Sequence, residues 1–362
     1  MKRRSFMKWS GFSMIGIFGS GAAYTAYQPE NTYYSGPKSD HFNGENFFNP
    51  DGEAPRKFAE LLKWQLGGGR EKWPKYWPSR YDNAKPDERI NGEAIRVTMV
   101  GHATLLIQAA GLNFLTDPVF VDRASPVKFA GPKRVNPPGV RFENLPPIDY
   151  VLLSHNHYDH LDLDTLAKLS TEHGATIICP LGNDTIIRSR EPNASLLCGD
   201  WGDIFELKNG TKVHFEPCHH WSARGTKDRR WALWAAFVVE TPAGKIYHVG
   251  DTGFHSGINY KALHEKHDEL RLAILPIGAY EPRWFMNAQH QNPDEAVQGH
   301  LLCKAQTSIG HHWGTFQLTN EGIDKPDIAL ADARIKHGLV EKDFLSLLPG
   351  QVWQSTGNDS SA

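Results

Sequence analysis

Residues 151–164, VLLSHNHYDHLDLD, place three histidines and two aspartates within eight positions directly after an apolar run. His155 and His157 are two residues apart, so at an extended strand end both side chains point to one side. Asp159 and His160 follow where the chain must turn. One metal ion could use the two histidines and a second could use Asp159 and His160. Such a two-metal site activates water and stabilises both the attacking and the leaving oxygen of a displacement. The alternative interpretation of this segment is a solvated histidine-rich loop.

Two metal ions need more ligands, and three later segments offer them after predicted strands. PCHHW contains His219 and His220, VGDTG contains Asp251, and IGHHWGT contains His311 and His312. Imidazole and carboxylate suit Zn²⁺, although Mn²⁺ and Fe²⁺ accept the same donors. The four cysteines are far apart and form no CxxC pair, so neither a thiolate zinc site nor a disulfide framework is expected.

The segments between these residues predict the elements that must position them. IRVTMV and ATLLIQAAGLNFLTD predict a hairpin that turns at Ala110 and Gly111. DYVLLSH, ATIICP, TKVHFEP, WAAFVVET, GKIYHVGDTG, LRLAILPIGAY and AQTSIGHHWGT predict further strands. LDTLAKLSTEHG and NPDEAVQGHLLCK predict helices, the first ending at Gly174. Hairpins combined with βαβ order indicate a layered α/β domain with mixed sheets.

Length and charge limit the classes of protein to consider. The chain has 362 residues, a net charge of −2 and 40% hydrophobic residues, which is enough for one large domain or two modest ones. Because there is no strongly basic field to attract phosphates, we expect no nucleic-acid partner.

The N-terminus predicts targeting. Residues 1–27 begin with basic residues and continue into an apolar, glycine-rich stretch, the pattern of an export signal or an N-terminal anchor. RRSFMK resembles a twin-arginine signal, although Lys2 stands where Ser or Thr is more usual. We therefore expect export, to the periplasm or the periplasmic face of the inner membrane.

The rest of the chain divides into three parts. Residues 28–90 predict a polar extension, with a short helix that ends at Gly67. Its aromatic-basic stretch around Trp73 and Trp77 fits either a membrane-facing surface or packing on the main domain. Residues 91–347 are predicted to form the metallo-hydrolase domain, and residues 348–362 a flexible tail.

The order of these motifs resembles a known family. SHNHYDHLD, a later histidine, GDTG and a late histidine resemble the metallo-β-lactamase fold superfamily. GHATLLI, FLTDPVF, PCHHW, LPIGAYEPRWFMNAQHQNPDEAV and HHWGTFQLTNE are further similar to the N-acylphosphatidylethanolamine-hydrolysing phospholipase D family. This resemblance spans about residues 95–330. It implies an α/β fold, the metallo-β-lactamase-like αββα sandwich of two mixed sheets flanked by helices.

The resemblance also implies two Zn²⁺ ions per chain. The implied ligands are His155, His157 and His220 for the first ion, Asp159, His160 and His312 for the second, and Asp251 as the bridge. In each HH pair the second histidine precedes the Trp of the family's HW, so His219 and His311 would only support the site.

Two further residues are expected at the substrate. His290, in AQHQNPDEA, matches a family histidine near the substrate and is a candidate both for catalysis and for substrate binding. Tyr158 is a candidate substrate contact, and Asp159 and Asp251 are expected to act in catalysis as well as in metal binding.

The function that the resemblance implies is hydrolysis of a phosphodiester in N-acylphosphatidylethanolamine, which yields N-acylethanolamine and phosphatidic acid. A phospholipid and a membrane surface would be the partners, and a homodimer stays open. A lactone or ester hydrolase is the alternative enzyme, because the ligand set alone does not separate the two. A non-enzymatic metal or lipid binder is a third reading, which the intact set of seven ligands disfavours.

Overall fold

The computed structural model describes residues 30–53, 56–81 and 84–355. The predicted export signal, residues 1–27, lies outside them. The strands are β1 (Ile95–Gly101), β2 (Thr104–Ala109), β3 (Leu112–Thr116), β4 (Tyr150–Leu152), β5 (Thr176–Pro180), β6 (Leu196–Gly199), β7 (Ile204–Glu206), β8 (Lys212–Glu216), β9 (Ala236–Thr241), β10 (Gly244–His248), β11 (Leu270–Pro276), β12 (Ala305–His311), β13 (Phe344–Ser346) and β14 (Val352–Ser355). The helices are α1 (Phe58–Leu66), α2 (Leu163–Lys168), α3 (Asn183–Arg190), α4 (Ile258–His267), α5 (Arg283–Met286), α6 (Pro293–Cys303) and α7 (Lys325–His337).

The strands form two mixed sheets of seven strands each. The first has the order β14-β1-β2-β3-β4-β5-β6 and the second β13-β12-β11-β10-β9-β8-β7. In the first sheet, pairing is antiparallel from β14 to β3 and parallel from β3 to β6. In the second, β7 to β10 are antiparallel and β10 to β13 parallel. The predicted αββα sandwich of mixed sheets is therefore confirmed.

The central strands of both sheets are buried on both faces, which explains their nearly continuous apolar runs in the sequence. Successive side chains of a strand point to opposite faces. In β2, Leu105 and Ile107 pack in the core between the sheets, where Phe237 of the second sheet also lies. Leu106, between them, instead packs outward in the cluster that includes Leu166 of α2. The outer face of the second sheet is covered by α4, α6 and α7.

Local sequence signals explain several element boundaries. The β2–β3 hairpin turns at Ala110 and Gly111, with φ of 51° and 76°, the left-handed pair that a tight two-residue turn requires. The helix that begins with α2 continues as a π-helical turn and ends at Gly174, which has a φ of 64°. At the start of α6, Asn292 and Glu295 form a reciprocal capping box.

The N-terminal extension packs on the main domain. Phe42 and Phe47 are 1% exposed and belong to the core cluster beside the second sheet. The indole of Trp73 donates a hydrogen bond to the carbonyl of Glu321, and Trp77 lies edge-on to Trp313. Trp73 and Trp77 are therefore partly buried contacts within the protein.

The C-terminal tail was predicted wrongly for residues 352–355. These residues form β14, which pairs antiparallel with β1 at the edge of the first sheet. The pairing supplies backbone hydrogen bonds that a local reading of PGQVWQS does not reveal. Residues 356–362 lie outside the described residues. Among the described helices, none combines the length and apolarity that a membrane crossing needs.

Candidate metal centre

Six strand ends converge at one edge of the sandwich, and each brings a histidine or an aspartate. Strands from both sheets contribute, so the residues gathered there are distant in sequence. The residues that follow these strands are His102 (after β1), Asp117 (β3), the segment 154–160 (β4), His220 (β8), Asp251 (β10) and His312 (β12).

The first predicted ligand set comes together closely. Nε2 of His155 lies 2.9 Å from Nδ1 of His157, and Nε2 of His220 lies 3.2 Å from the same Nδ1. All three rings meet edge-on, with centroids 4.5–5.0 Å apart. Three nitrogens that face one point suit a single metal ion better than a network of hydrogen bonds, because each neutral imidazole offers only one donor.

The second predicted set is gathered around Asp159. Its Oδ2 lies 3.1 Å from Nε2 of His312 and 3.4 Å from Nε2 of His160. Nε2 of His102, a residue that we did not predict here, lies 3.0 Å from the same oxygen. These four residues form one group whose ligand atoms all lie within 4.8 Å of one another.

Asp251 stands between the two sets. Its Oδ2 lies 3.3 Å from Nε2 of His160 and 3.2 Å from Nε2 of His312, both in the second set. The same oxygen lies 3.7 Å from Nε2 of His220 in the first set. The carboxylate is 2% exposed. It occupies the place that a ligand shared by two metal ions must occupy.

The donor atoms fit metal ions. Zinc bonds of about 2.1 Å at tetrahedral angles separate neighbouring donors by roughly 3.4 Å, close to the separations within both sets. Nε2 of His160 and Oδ1 of Asp251 are buried and have no hydrogen-bond partner among the described residues. Buried polar atoms without partners are rare in proteins, and a metal ion would satisfy both.

The nitrogens on the far side of the rings are held in place. Oδ2 of Asp117 lies 2.8 Å from Nδ1 of His160, and Oγ of Ser154 lies 2.9 Å from Nδ1 of His155. The carbonyl of Gln289 lies 3.0 Å from Nδ1 of His220. Such contacts fix the tautomer and the direction of a metal-binding ring.

Electrostatics divide the histidines into two kinds. Burial lowers the pKa of His157 to about 4 and that of His220 to about 3, so both are neutral and able to bind metal. Burial alone would also lower the pKa of His312, but Asp251 and Asp159 raise it to about 9. The pKa of His160 is likewise raised, against burial, by Asp251, Asp159 and Asp117. Where either ring is protonated, metal binding would have to displace that proton.

The candidate substrate residues have different surroundings. Nδ1 of His290 lies 3.8 Å from Oδ2 of Asp251, on the side of His220, so the structure brings His290 to the centre. The ring of Tyr158 instead lies 3.8 Å from the guanidinium carbon of Arg224, in a cation–π contact.

The neighbouring histidines and Asp162 have other partners. Nδ1 of His219 lies 2.9 Å from the amide nitrogen of Asn259, and its ring stacks on His255. His311 is fully buried and its ring faces that of His248 at 5.3 Å. Oδ1 of Asp162 accepts two backbone hydrogen bonds at the start of α2, so it caps that helix.

Two residues of the centre were missed in the sequence. His102 follows β1 with a φ of 58°, and Asp117 follows β3 with a φ of 34°. Both lie in the blocks GHATLLI and FLTDPVF, where each polar residue directly borders a predicted strand. A polar residue directly beside a predicted strand was the signal that could have identified His102 and Asp117, since functional sites of α/β folds lie at strand ends.

Comparison with known proteins identifies the family. The protein-family model described as "Beta-lactamase superfamily domain" matches residues 112–313. The N-acyl-phosphatidylethanolamine-hydrolyzing phospholipase D 1 of Caenorhabditis elegans is 37% identical over 284 residues, which are 76% of this chain and 80% of that protein. An uncharacterised protein of Mycobacterium tuberculosis is 37% identical over 274 residues, 74% of this chain and 71% of its own length.

Solved structures agree on the fold. An isothiocyanate hydrolase from Delia radicum gut bacteria has a TM-score of 0.57 at 18% identity, over 73% of this chain and 100% of its own. At that identity the likeness concerns the fold alone. Together with the relatives above, it shows that this chain is a metal-dependent hydrolase of the metallo-β-lactamase fold and belongs to the family of N-acylphosphatidylethanolamine-hydrolysing phospholipase D homologues.

Proposed function

We propose that the chain is a zinc-dependent phosphodiesterase that cleaves N-acylphosphatidylethanolamine to N-acylethanolamine and phosphatidic acid. The observation that carries the proposal is the position of Asp251. Its Oδ2 lies within 3.7 Å of histidine nitrogens from both ligand sets. A carboxylate shared in this way suits a two-metal centre, which can stabilise both the attacking and the leaving oxygen of a displacement at phosphorus. The identity of 37% to the C. elegans phospholipase D supports the choice of substrate.

The roles of the residues follow from their positions. His155, His157 and His220 would hold one ion, Asp159, His160 and His312 the other, and Asp251 both. A bound zinc pair supplies Lewis acidity, which makes water nucleophilic at neutral pH and neutralises charge on phosphoryl oxygens. The Nε2–H of His102 donates a hydrogen bond to Oδ2 of Asp159 and so orients the carboxylate that the second set shares.

His290 would contact the substrate from the side of His220. Burial lowers the pKa of His290 to about 3, so the ring is neutral and can donate one N–H hydrogen bond to a phosphoryl or leaving oxygen. Its backbone is anchored, because Arg283 donates to the carbonyl of His290 and forms a two-bond ion pair with Glu295. The loop is thereby tied to the start of α6.

A phospholipid substrate requires a surface that meets the bilayer, and the structure suggests α1 and α5. Leu62 and Leu66, one turn apart on α1, are 37% and 82% exposed, and Trp284 of α5 is 43% exposed. The ammonium of Lys63 lies 4.9 Å above the Trp284 ring. Exposed apolar residues beside lysines are typical of interfacial helices. This surface replaces Trp73 and Trp77 as the proposed membrane contact.

Export is proposed from the sequence alone. The basic, then apolar and glycine-rich pattern of residues 1–27 supports delivery to the periplasm or its inner-membrane face. Changing Arg3 and Arg4 together to lysine should retain the protein in the cytoplasm if the twin-arginine route is used. Unchanged periplasmic delivery of that variant would speak for an ordinary signal or anchor.

Product analysis tests the reaction. Zinc-loaded protein should release N-acylethanolamine and phosphatidic acid from N-acylphosphatidylethanolamine vesicles, as measured by mass spectrometry, and the Asp251→Asn variant should not. Diacylglycerol as product would mean that the other phosphoester is cut. Hydrolysis of a lactone with every phospholipid left intact would favour the alternative enzyme.

The membrane surface has a separate test. Replacing Leu62, Leu66 and Trp284 by serine should reduce vesicle turnover while leaving turnover of a short soluble phosphodiester intact. Ile335→Ser, at a position on α7 that is 79% exposed, is the matched control. Equal losses on both substrates would contradict a role in docking.

A further inference from the structure

A second group of metal-binding residue types lies outside the proposed centre. His214 and Glu216 are two apart on β8, so both point to the same face of the sheet, and His267 ends α4. Exposed fractions of 8%, 5% and 3% show that all three are buried. One ligand atom from each lies within 4.8 Å of the other two. Two imidazoles and a carboxylate form a donor set that zinc accepts.

The two rings have the mutual geometry of the proposed ligands at the main centre. The centroids of His214 and His267 lie 4.9 Å apart with an interplanar angle of 88°. In the set of His155, His157 and His220, the corresponding values are 4.5–5.0 Å and 73–84°. The rings of His214 and His267 therefore meet edge-on at the separation found in that set.

His214 has one nitrogen in use and one free. Its Nε2 lies 3.1 Å from Oε2 of Glu240, while its Nδ1 is buried without a hydrogen-bond partner among the described residues. His160 shows the same arrangement, with Nδ1 on Asp117 and Nε2 unpartnered. A carboxylate on the far nitrogen orients a histidine for metal binding.

The ammonium of Lys266 contacts one of the three metal-binding residue types, Glu216. Oε1 of Glu216 lies 2.7 Å from Nε2 of His267 and 2.8 Å from Nζ of Lys266. The Lys266 side chain is 44% exposed, so it can turn into solvent when a cation arrives. The side chain of Glu240, which contacts His214, is 42% exposed and so reaches solvent beside the group.

We propose that His214, Glu216 and His267 bind one divalent metal ion, separate from the catalytic centre and structural in role. The ion would tie β8 to the end of α4. Since β8 leads within four residues to His220, the tie would steady the strand that delivers this ligand. Water would complete the coordination.

The experiment counts zinc. The full-length protein is saturated with Zn²⁺, dialysed against metal-free buffer and analysed for metal per chain. His214→Gln and His267→Gln should each hold about one zinc ion fewer than the wild type. His264→Gln is the matched control, because His264 lies one turn earlier on α4 and belongs to no ligand group in the part of the chain that the structure describes. It should keep the wild-type content.

A second variant gives a change in the opposite direction. Lys266→Ala removes the competing ammonium. It should lower the dissociation constant of the most weakly bound zinc ion by about threefold, as loss of one ion pair with a solvent-exposed lysine allows. Wild-type zinc content in both His214→Gln and His267→Gln would overturn the proposal. Weaker zinc binding in Lys266→Ala would overturn it too. Both readouts are independent of the substrate hydrolysed.

Discussion

Oδ2 of Asp117 lies 2.8 Å from Nδ1 of His160, and both side chains are completely buried. The contact directs Nε2 of His160 toward Asp159 and Asp251. Asp117→Asn should therefore lower zinc affinity or turnover about 10- to 100-fold, the usual cost of losing such a partner. Zinc titration and initial rates measure this. Asp122→Asn, an exposed carboxylate in the following loop, should change neither quantity.

Asp251 and Asp162 should separate metal binding from folding. Asp251→Ala removes the carboxylate between the two ligand sets, so it should lose at least one metal ion and nearly all turnover. Asp162→Ala removes the cap of α2 and should cost about 1 kcal/mol of folding free energy with the metal retained. Metal analysis and denaturant unfolding of both variants distinguish a role in metal binding from a role in folding. Equal loss of activity with full metal content in both would refute the bridging role.

Phe47 tests whether the extension belongs to the folded domain. Its ring is 1% exposed and lies 4.6 Å from that of Phe42. Phe47→Ala should reduce the free energy of unfolding by about 3 kcal/mol, since it leaves a cavity in the core. Phe129→Ala, at a position that is 84% exposed, is the control. A cost for Phe47→Ala no larger than that of the control would mean that the extension is dispensable to the fold.

His41 should make the docking of the extension pH-dependent. Its Nδ1 lies 2.6 Å from Asp40 and its Nε2 2.7 Å from Asp200. Burial opposes protonation, but the hydrogen bonds to Asp200 and Asp40 outweigh it and raise the pKa of His41. Because the pKa of His41 is higher in the folded state than in the unfolded state, protonation of His41 stabilises the fold. This stabilisation is fully present below the unfolded-state pKa of about 6.5, and it is lost as the pH rises through the folded-state pKa.

The variant His41→Gln measures this effect. All measurements are made with a metal chelator present. The wild type should be more stable than the variant by about 1 kcal/mol below pH 6, and this difference should shrink as the pH rises. Denaturant unfolding at several pH values gives the curve. A difference that grows with pH would have the wrong sign for a raised pKa.

The sequence predicted most of the candidate centre because its ligands border strands. The histidines and aspartate of SHNHYDH are close in sequence, and GDTG and HW mark the later members. His102 was missed because a single histidine in a turn carries no spacing signal. Its relation to Asp159, 57 positions later, arises only when the β1–β2 turn meets the end of β4.

The ends of the domain were harder to predict, for two different reasons. HFNGENFFNP is mostly polar, so the burial of Phe42 and Phe47 depends on the face of the second sheet that they cover. Strand β14 alternates between half-buried and exposed residues, and it exists only through pairing with β1 about 255 positions earlier. In both cases the deciding contacts are remote in the chain.

The origin of the ligands in both sheets has a consequence for maturation. The first sheet provides His155, His157, Asp159 and His160, and the second provides His220, Asp251 and His312. Among the described residues neither half contains a complete proposed set, so a nascent chain would acquire the coordination sphere only after the two halves have docked. Metal binding at the proposed centre would therefore require completed folding, and the bound ions would then link the two halves at this edge of the sandwich.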